Sequence, residues 1–170
     1  YGVLGSGGCR FSGAALAGAI TGFGQYFLHW TRDRFLEMGY QVIYGDTDSL
    51  FVVSNAGDDD AATAHRLGEH LCGEINAALS AFISTAYRLE SRLELEFEKL
   101  YRRFYLPRVR HTAGPAAAEL MRGRAKGYAG KPTSADGVTG PVEVTGMEAV
   151  RSDWTDVARE LQVRLLELLL

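Results

Sequence analysis

The chain has 170 residues, 46% of them apolar and 23% charged, a composition that fits one globular domain with a core and excludes a disordered chain. Its formal net charge of −3 excludes a generally basic nucleic-acid coat but leaves room for a locally basic groove. No apolar run approaches the roughly 18 residues of a membrane span. Cys9 and Cys72 lie outside any paired spacing, so they suggest neither a disulfide framework nor a zinc site, and a reducing compartment is expected.

The ends carry a further expectation. The chain opens at Tyr1 on a Gly-rich run without an initiator Met or a basic-then-apolar leader. It closes on Leu165-Leu166-Glu167-Leu168-Leu169-Leu170 without a Gly or Asn stop. Both ends suggest an internal piece of a longer protein.

In chain order, Gly2, Gly5, Gly7 and Gly8 predict a turn that permits close packing or backbone approach to a ligand. A dinucleotide fingerprint needs glycine where Arg10 stands, and a phosphate loop needs lysine where Gly8 stands. Residues 14–39 predict a helix, with Leu16, Ile20, Phe23, Phe27 and Trp30 as its apolar face and Gly39 as its stop. The period then changes. Residues 40–44 and 50–53 are short β-branched and aromatic runs joined by Gly45-Asp46-Thr47-Asp48-Ser49, a hairpin pattern. Residues 61–87 predict a second helix burying Leu67, Leu71, Ile75, Leu79 and Phe82 or Ile83. Alternation at 93–98 predicts a strand with Glu94, Glu96 and Glu98 on one face, followed by a returning strand at 100–107. A short element is expected at 127–130 and a last strand at 142–147, then a last helix capped by Ser152 or Asp153.

The acidic turn is the strongest chemical signal. Asp46 and Asp48 sit two residues apart where two apolar strands meet, so rigid backbone holds both carboxylates at one exposed edge. Such a pair suits hard cations such as Mg²⁺, although Asp in a turn also commonly satisfies local amides. His65, Glu69 and His70 superficially suggest a metalloprotease helix, but five helical residues rotate about 500°, leaving the imidazoles roughly 140° apart. Surface positions are expected for them instead. Between 102 and 126 the basic residues Arg102, Arg103, Arg108, Arg110, Arg122, Arg124 and Lys126 face Glu119 as the lone acid. Tyr101, Phe104, Tyr105 and Tyr128 are interleaved, a pattern suited to a polyanion or to a solvated loop.

Taken together, these segments resemble family B DNA polymerases. Tyr44-Gly45-Asp46-Thr47-Asp48-Ser49 is similar to the YGDTDS motif of the palm hairpin, and Tyr1-Gly2 resembles the end of the fingers motif KxxxNSxYG. Cys9-Arg10-Phe11 and Ala19-Ile20-Thr21 are similar to the segment that follows that motif. Residues 93–98 resemble the LELE strand, residues 125–130 the KKRY region, and residues 146–155 the entry to the thumb. The runs at 103–107 and 146–155 lean toward the bacterial DNA polymerase II branch. Ala125 and Gly127 depart from the basic residues common in the KKRY region.

The resemblance implies an α+β fold: an antiparallel palm-type sheet packed against the two long helices, with the first thumb helix at the C-terminus. It implies a palm over 1–151, its first 13 residues closing the fingers junction, and a truncated thumb start over 152–170. The implied reaction adds deoxynucleotides to a primer 3′ end with two Mg²⁺ ions, for which Mn²⁺ can substitute. Asp48 is the first implied metal ligand and Asp46 the second. Tyr1 and Thr47 would lie near the nascent base pair. Arg124, Lys126, Tyr128 and Arg151 would meet primer-template DNA. The chain lacks the family's DxxSLYPS carboxylate motif, the fingers lysine and the exonuclease, so inactivity of the isolated segment is expected. Self-association through surface left bare is expected too, as is a cytoplasmic location in a bacterium. The alternatives are an Asp-x-Asp metal-dependent glycosyltransferase and a non-catalytic DNA-binding module derived from a polymerase.

Overall fold

The computed structural model describes residues 1–57, 60–107 and 127–170. Two compact units divide it, Tyr1–Val53 and Ser54–Leu170.

The first unit contains a single-turn helix α1 (Gly2–Gly5), a long helix α2 (Ala14–Glu37) and a hairpin of β1 (Val42–Asp46) and β2 (Ser49–Val52). Helix α2 stops where glycine allows it to. Gly39 takes φ +86°, its amide bonds the Leu36 carbonyl, and the Tyr40 amide reaches back to the Phe35 carbonyl. This paired closure satisfies two carbonyls that would otherwise be orphaned and turns the chain into β1. The predicted apolar face of α2 is not its buried face. Ala17, Thr31 and Phe35 are buried, whereas Leu16 and Phe23 are 58% and 50% exposed. The apolar residues of this helix are spread around its circumference, so periodicity alone does not select which of them meets the hairpin.

The second unit begins with α3 (Ala61–Tyr87), as expected from the sequence. The Asp60 carboxylate accepts from the Thr63 amide at 2.9 Å and caps it, which holds the Asp60 carboxyl below its usual range. Ala64, Leu71, Ile75, Leu79 and Ile83 form the buried stripe, with Ile75 and Leu79 almost fully enclosed. Arg88 ends the helix in the left-handed region, at φ 55°.

Residues 93–98 are not a strand, contrary to the alternation. Their segment docks on α3 instead: Asn76 donates its amide to the Leu95 carbonyl at 2.9 Å and accepts from the Leu95 amide at 2.7 Å. The Cys72 thiol donates to the same carbonyl at 3.1 Å. One side chain thus supplies both bonds that a neighbouring strand would have given. Phe97 lies over Gly68, where an added Cβ would come within 2.6 Å of its ring. His65 is half-buried rather than a surface residue, its Nε2 2.7 Å from the Thr133 carbonyl and its ring edge-on to Phe97. Glu69 and His70 are exposed.

The remaining strands, β3 (Tyr101–Tyr105), β4 (Tyr128–Pro132) and β5 (Glu143–Thr145), form an antiparallel sheet in that order. The α+β class with antiparallel strands and a C-terminal helix therefore holds, with the strands divided between two small sheets. Ala129 is fully buried and joins Met147 and Leu166 in a core against which Tyr105, Val142, Val144 and Leu170 pack. Leu166 belongs to α4 (Asp156–Leu169), whose cap is Thr155 rather than Ser152 or Asp153. The 3-10 turn Glu148–Val150 lies between β5 and α4, and Ser152 and Asp153 fall in a turn between it and the helix.

Among the described residues no helix is long and apolar enough to cross a membrane.

Candidate functional site

The carboxylate turn is built by a two-residue connection. Asp46 pairs with Ser49, Gly45 with Leu50 and Tyr44 with Phe51, but Val42 pairs with Val52, so Ile43 is an extra residue on β1. A bulge of this kind increases strand twist and re-aims the residues that follow it. The Tyr44 and Phe51 rings meet at 5.5 Å and hold the two strands together below the turn.

At the tip, the Asp48 amide donates to the Asp46 carbonyl at 2.6 Å. The bond spans a three-residue γ-turn whose centre, Thr47, has φ 53°. Positive φ in a γ-turn is the rarer, more strained form, and a β-branched residue is poorly suited to it. The Thr47 hydroxyl donates to Asp46 Oδ1 at 3.0 Å, and the Ser49 hydroxyl to Asp48 Oδ1 at 3.3 Å. Asp46 is half-buried and Asp48 exposed. Among the described residues no cationic side chain pairs with either carboxylate. The donor set is oxygen-only and anionic, which fits a hard divalent cation. Two carboxylates are half a site, however: among the described residues no third His, Cys, Asp or Glu joins them.

Tyr1 belongs to the same unit and is exposed. Its carbonyl accepts from the Gly5 amide at 2.8 Å, and its ring lies so close to Gly5 that a Cβ there would sit 2.8 Å away. With Leu4, Ser12, Ala17 and Thr21 it lines an open groove of about 410 Å³. The Gly-rich opening therefore forms a short helix rather than a turn, and one of its glycines makes the close approach expected of it.

Tyr128 and Arg151 lie in the second unit. Tyr128 opens β4 opposite Thr145, half-buried, with its ring 5.4 Å from that of Phe104. Arg151 follows the 3-10 turn and is held by Asp153, which accepts from its Nε at 2.8 Å. That bond keeps the Asp153 carboxyl below its usual range. The pair is exposed, so Arg151 remains accessible at modest cost. Arg124 and Lys126 lie outside the described residues, as do Arg108, Arg110 and Arg122.

Sequence reasoning missed a polar cluster on the sheet. Glu143 Oε2 accepts from Lys99 Nζ at 2.8 Å and from the Tyr101 hydroxyl at 3.0 Å. Burial and the adjoining carboxylate push the Tyr101 phenol well above the ordinary tyrosine range, so it stays a donor. Glu143 lies more than 40 positions from both Lys99 and Tyr101 in sequence, and only the β3–β4–β5 register brings it to them.

The family model for DNA polymerase family B matches residues 1–170. The chain is 36% identical to DNA polymerase II of Escherichia coli K12 over 165 residues, 97% of this chain and 20% of that protein. It is 28% identical to DNA polymerase 2 of Aeropyrum pernix, over all of this chain and 16% of that one. Against the DNA polymerase alpha catalytic subunit of Mus musculus the identity is 27%, over 94% of this chain and 9% of that subunit. The chain thus spans a fifth or less of these relatives, and the match along all of it removes support for the glycosyltransferase alternative. With its carboxylate hairpin, its two long helices and its family match from the first residue to the last, the chain belongs to DNA polymerase family B.

Proposed function

We propose that this chain is the palm segment, with the start of the thumb, of a template-directed DNA polymerase that extends a primer 3′ end with deoxynucleotides in replication or repair synthesis. The observation that carries the reading is the strained turn that holds Asp46 and Asp48 at the tip of a bulged hairpin. Bound there, two Mg²⁺ ions, or Mn²⁺ in their place, would supply activation of the primer hydroxyl and neutralisation of the triphosphate.

The protein's own contribution is positioning. Asp48, exposed, is the direct metal ligand, and Asp46, oriented by the Thr47 hydroxyl, is its neighbour. Tyr1 and Thr47 border the nascent base pair. Tyr128 meets the duplex near the primer terminus, where minor-groove acceptors are nearly alike for all correct pairs and shape can be checked without reading sequence. Arg151, Arg124 and Lys126 neutralise backbone phosphates.

The decisive experiment is Mg²⁺-dependent primer extension by the full-length protein that carries this chain. Asp48→Ala is expected to lower extension by at least about a hundredfold while primer-template binding persists. Near-normal extension by that variant removes Asp48 from the mechanism. Binding without extension by the unsubstituted protein favours the non-catalytic module. The isolated 170-residue chain is expected to be inactive, because the DxxSLYPS carboxylate and the fingers lysine are not in its sequence.

We also propose that the isolated chain self-associates through α4. Val157, Leu161, Leu165 and Leu168 recur along that helix and are all exposed. Sedimentation is expected to show a mass above 18.6 kDa that falls to monomer in Leu161→Glu. A monomer without the substitution overturns this.

A further inference from the structure

The β3–β4–β5 sheet has two unlike faces. Ala129 and Lys131 of β4 turn toward α4: Ala129 packs with Leu166, and Lys131 Nζ donates to the Glu167 carbonyl at 3.1 Å. By strand alternation Tyr128 and Gly130 belong to the other face. Gly130 stands opposite Phe104 on β3 and Glu143 on β5. It is buried, and an added Cβ would lie 2.5 Å from the Tyr101 ring, so that ring rests on bare backbone.

From Tyr101 a row of rings runs across this face. Tyr101 and Phe104 are 5.7 Å apart between centroids, and Phe104 and Tyr128 are 5.4 Å apart. The Tyr101 end is held from three sides: Gly130 below, the Phe104 ring beside it, and the Glu143 carboxylate on its hydroxyl. Lys99 holds Glu143 in turn. Bonds to a charged acceptor are the stronger kind of hydrogen bond, and packed rings pass a displacement on to their neighbours. Glu143 itself is over a third exposed and takes no part in the core of Ala129, Met147 and Leu166.

We infer that Glu143 is a positioning residue for DNA: through Tyr101 and Phe104 it fixes the pose in which Tyr128 meets the duplex. The inference rests on the polymerase reading, in which Tyr128 contacts primer-template. It gives β5 a part in DNA binding that no basic or metal-binding residue there would have suggested.

The experiment is a double-mutant cycle on the full-length protein, read as the affinity for a fluorescein-labelled primer-template duplex by anisotropy. Glu143→Ala is expected to weaken binding about three- to tenfold, the range typical of coupled neighbours. Glu143→Gln, which still accepts from the Tyr101 hydroxyl, recovers most of that loss. In a Tyr128→Ala background, Glu143→Ala adds nothing further, because the ring it positions is gone. A purely structural role would give equal losses in both backgrounds, and that additivity overturns the proposal, as does unchanged binding by Glu143→Ala. Should Glu143→Ala fail to fold, Tyr101→Phe removes only the hydroxyl and completes the same cycle. Failure of the unsubstituted protein to bind duplex overturns the polymerase reading and this role with it. Tight binding with additive losses overturns the role of Glu143 alone.

Discussion

The Asp48 amide and the Asp46 carbonyl close on each other at 2.6 Å across Thr47. This contact sets the relation between the two carboxylates, since it places Thr47, at φ 53°, at the centre of the tight turn between them. Backbone held in so sparse a region costs about 1–3 kcal/mol. Thr47→Gly removes that strain and adds about 0.5–1 kcal/mol of chain entropy to be lost on folding. Stability is therefore expected to hold or rise in thermal melts, while primer extension by the full-length protein falls because the turn no longer fixes Asp46 and Asp48. A lower Tm would mean that the Thr47–Asp46 hydrogen bond outweighs the strain.

Gly68 makes a prediction whose sign reverses with its neighbour. In an exposed helix, Gly→Ala gains about 1 kcal/mol from propensity. Here the new Cβ would come within 2.6 Å of Phe97, and forced overpacking costs about 1–3 kcal/mol. Gly68→Ala should therefore destabilise the protein. In a Phe97→Ala background the clash is gone, and the same substitution should stabilise by about 1 kcal/mol. Denaturant midpoints of the four proteins decide it, and additivity between the two sites would remove the Phe97 contact from the account.

Short-range patterns were the legible part of this sequence. Leu71, Ile75 and Leu79 recur every four residues, and α3 buries all three. Asp46, Thr47 and Asp48 were legible as a hairpin turn because they are adjacent in sequence, and the turn forms there. What failed depended on partners distant in sequence. Alternation at 93–98 suggested a strand and carried no sign that Asn76, rather than a strand, satisfies Leu95. The apolar residues of α2 fit a stripe of their own, yet the residues it buries are Ala17, Thr31 and Phe35. Glu143 looked like one more surface acid, because its bonds to Lys99 and Tyr101 exist only once three strands are in register.

The helix caps give a ranking. Asp60 accepts from the Thr63 amide at 2.9 Å, a good hydrogen bond, whereas Thr155 Oγ1 is 3.4 Å from the Ala158 amide, which is long. Asp60→Ala should lower Tm most, Thr155→Ala less, and Ser152→Ala hardly at all. Calorimetry of the three variants checks the order. A large loss in Ser152→Ala would restore the start of α4 that sequence alone had suggested.

The last prediction concerns pH. The Lys99 ammonium holds the Glu143 carboxyl below its usual 4.5, with the Tyr101 hydroxyl adding to the effect, and Glu143 holds the Lys99 ammonium above its usual 10.5. For Glu143 the stabilisation is present above 4.5 and is lost as pH falls through the lowered value. For Lys99 it is present below 10.5 and is lost as pH rises through the raised value. The pair therefore contributes across the neutral range and fades at both ends. Both groups are more than a third exposed, so the contribution is screened by salt. Glu143→Gln keeps an acceptor for Tyr101 but has no acid limb. The stability gap between it and the unsubstituted protein should be widest near neutrality at low salt, and it should close as pH falls through the lowered Glu143 value. Denaturant midpoints at several pH values measure the gap. A gap that stays constant through the acid range would show that the charge on Glu143 contributes nothing, leaving the hydrogen bond to Tyr101 as its whole effect.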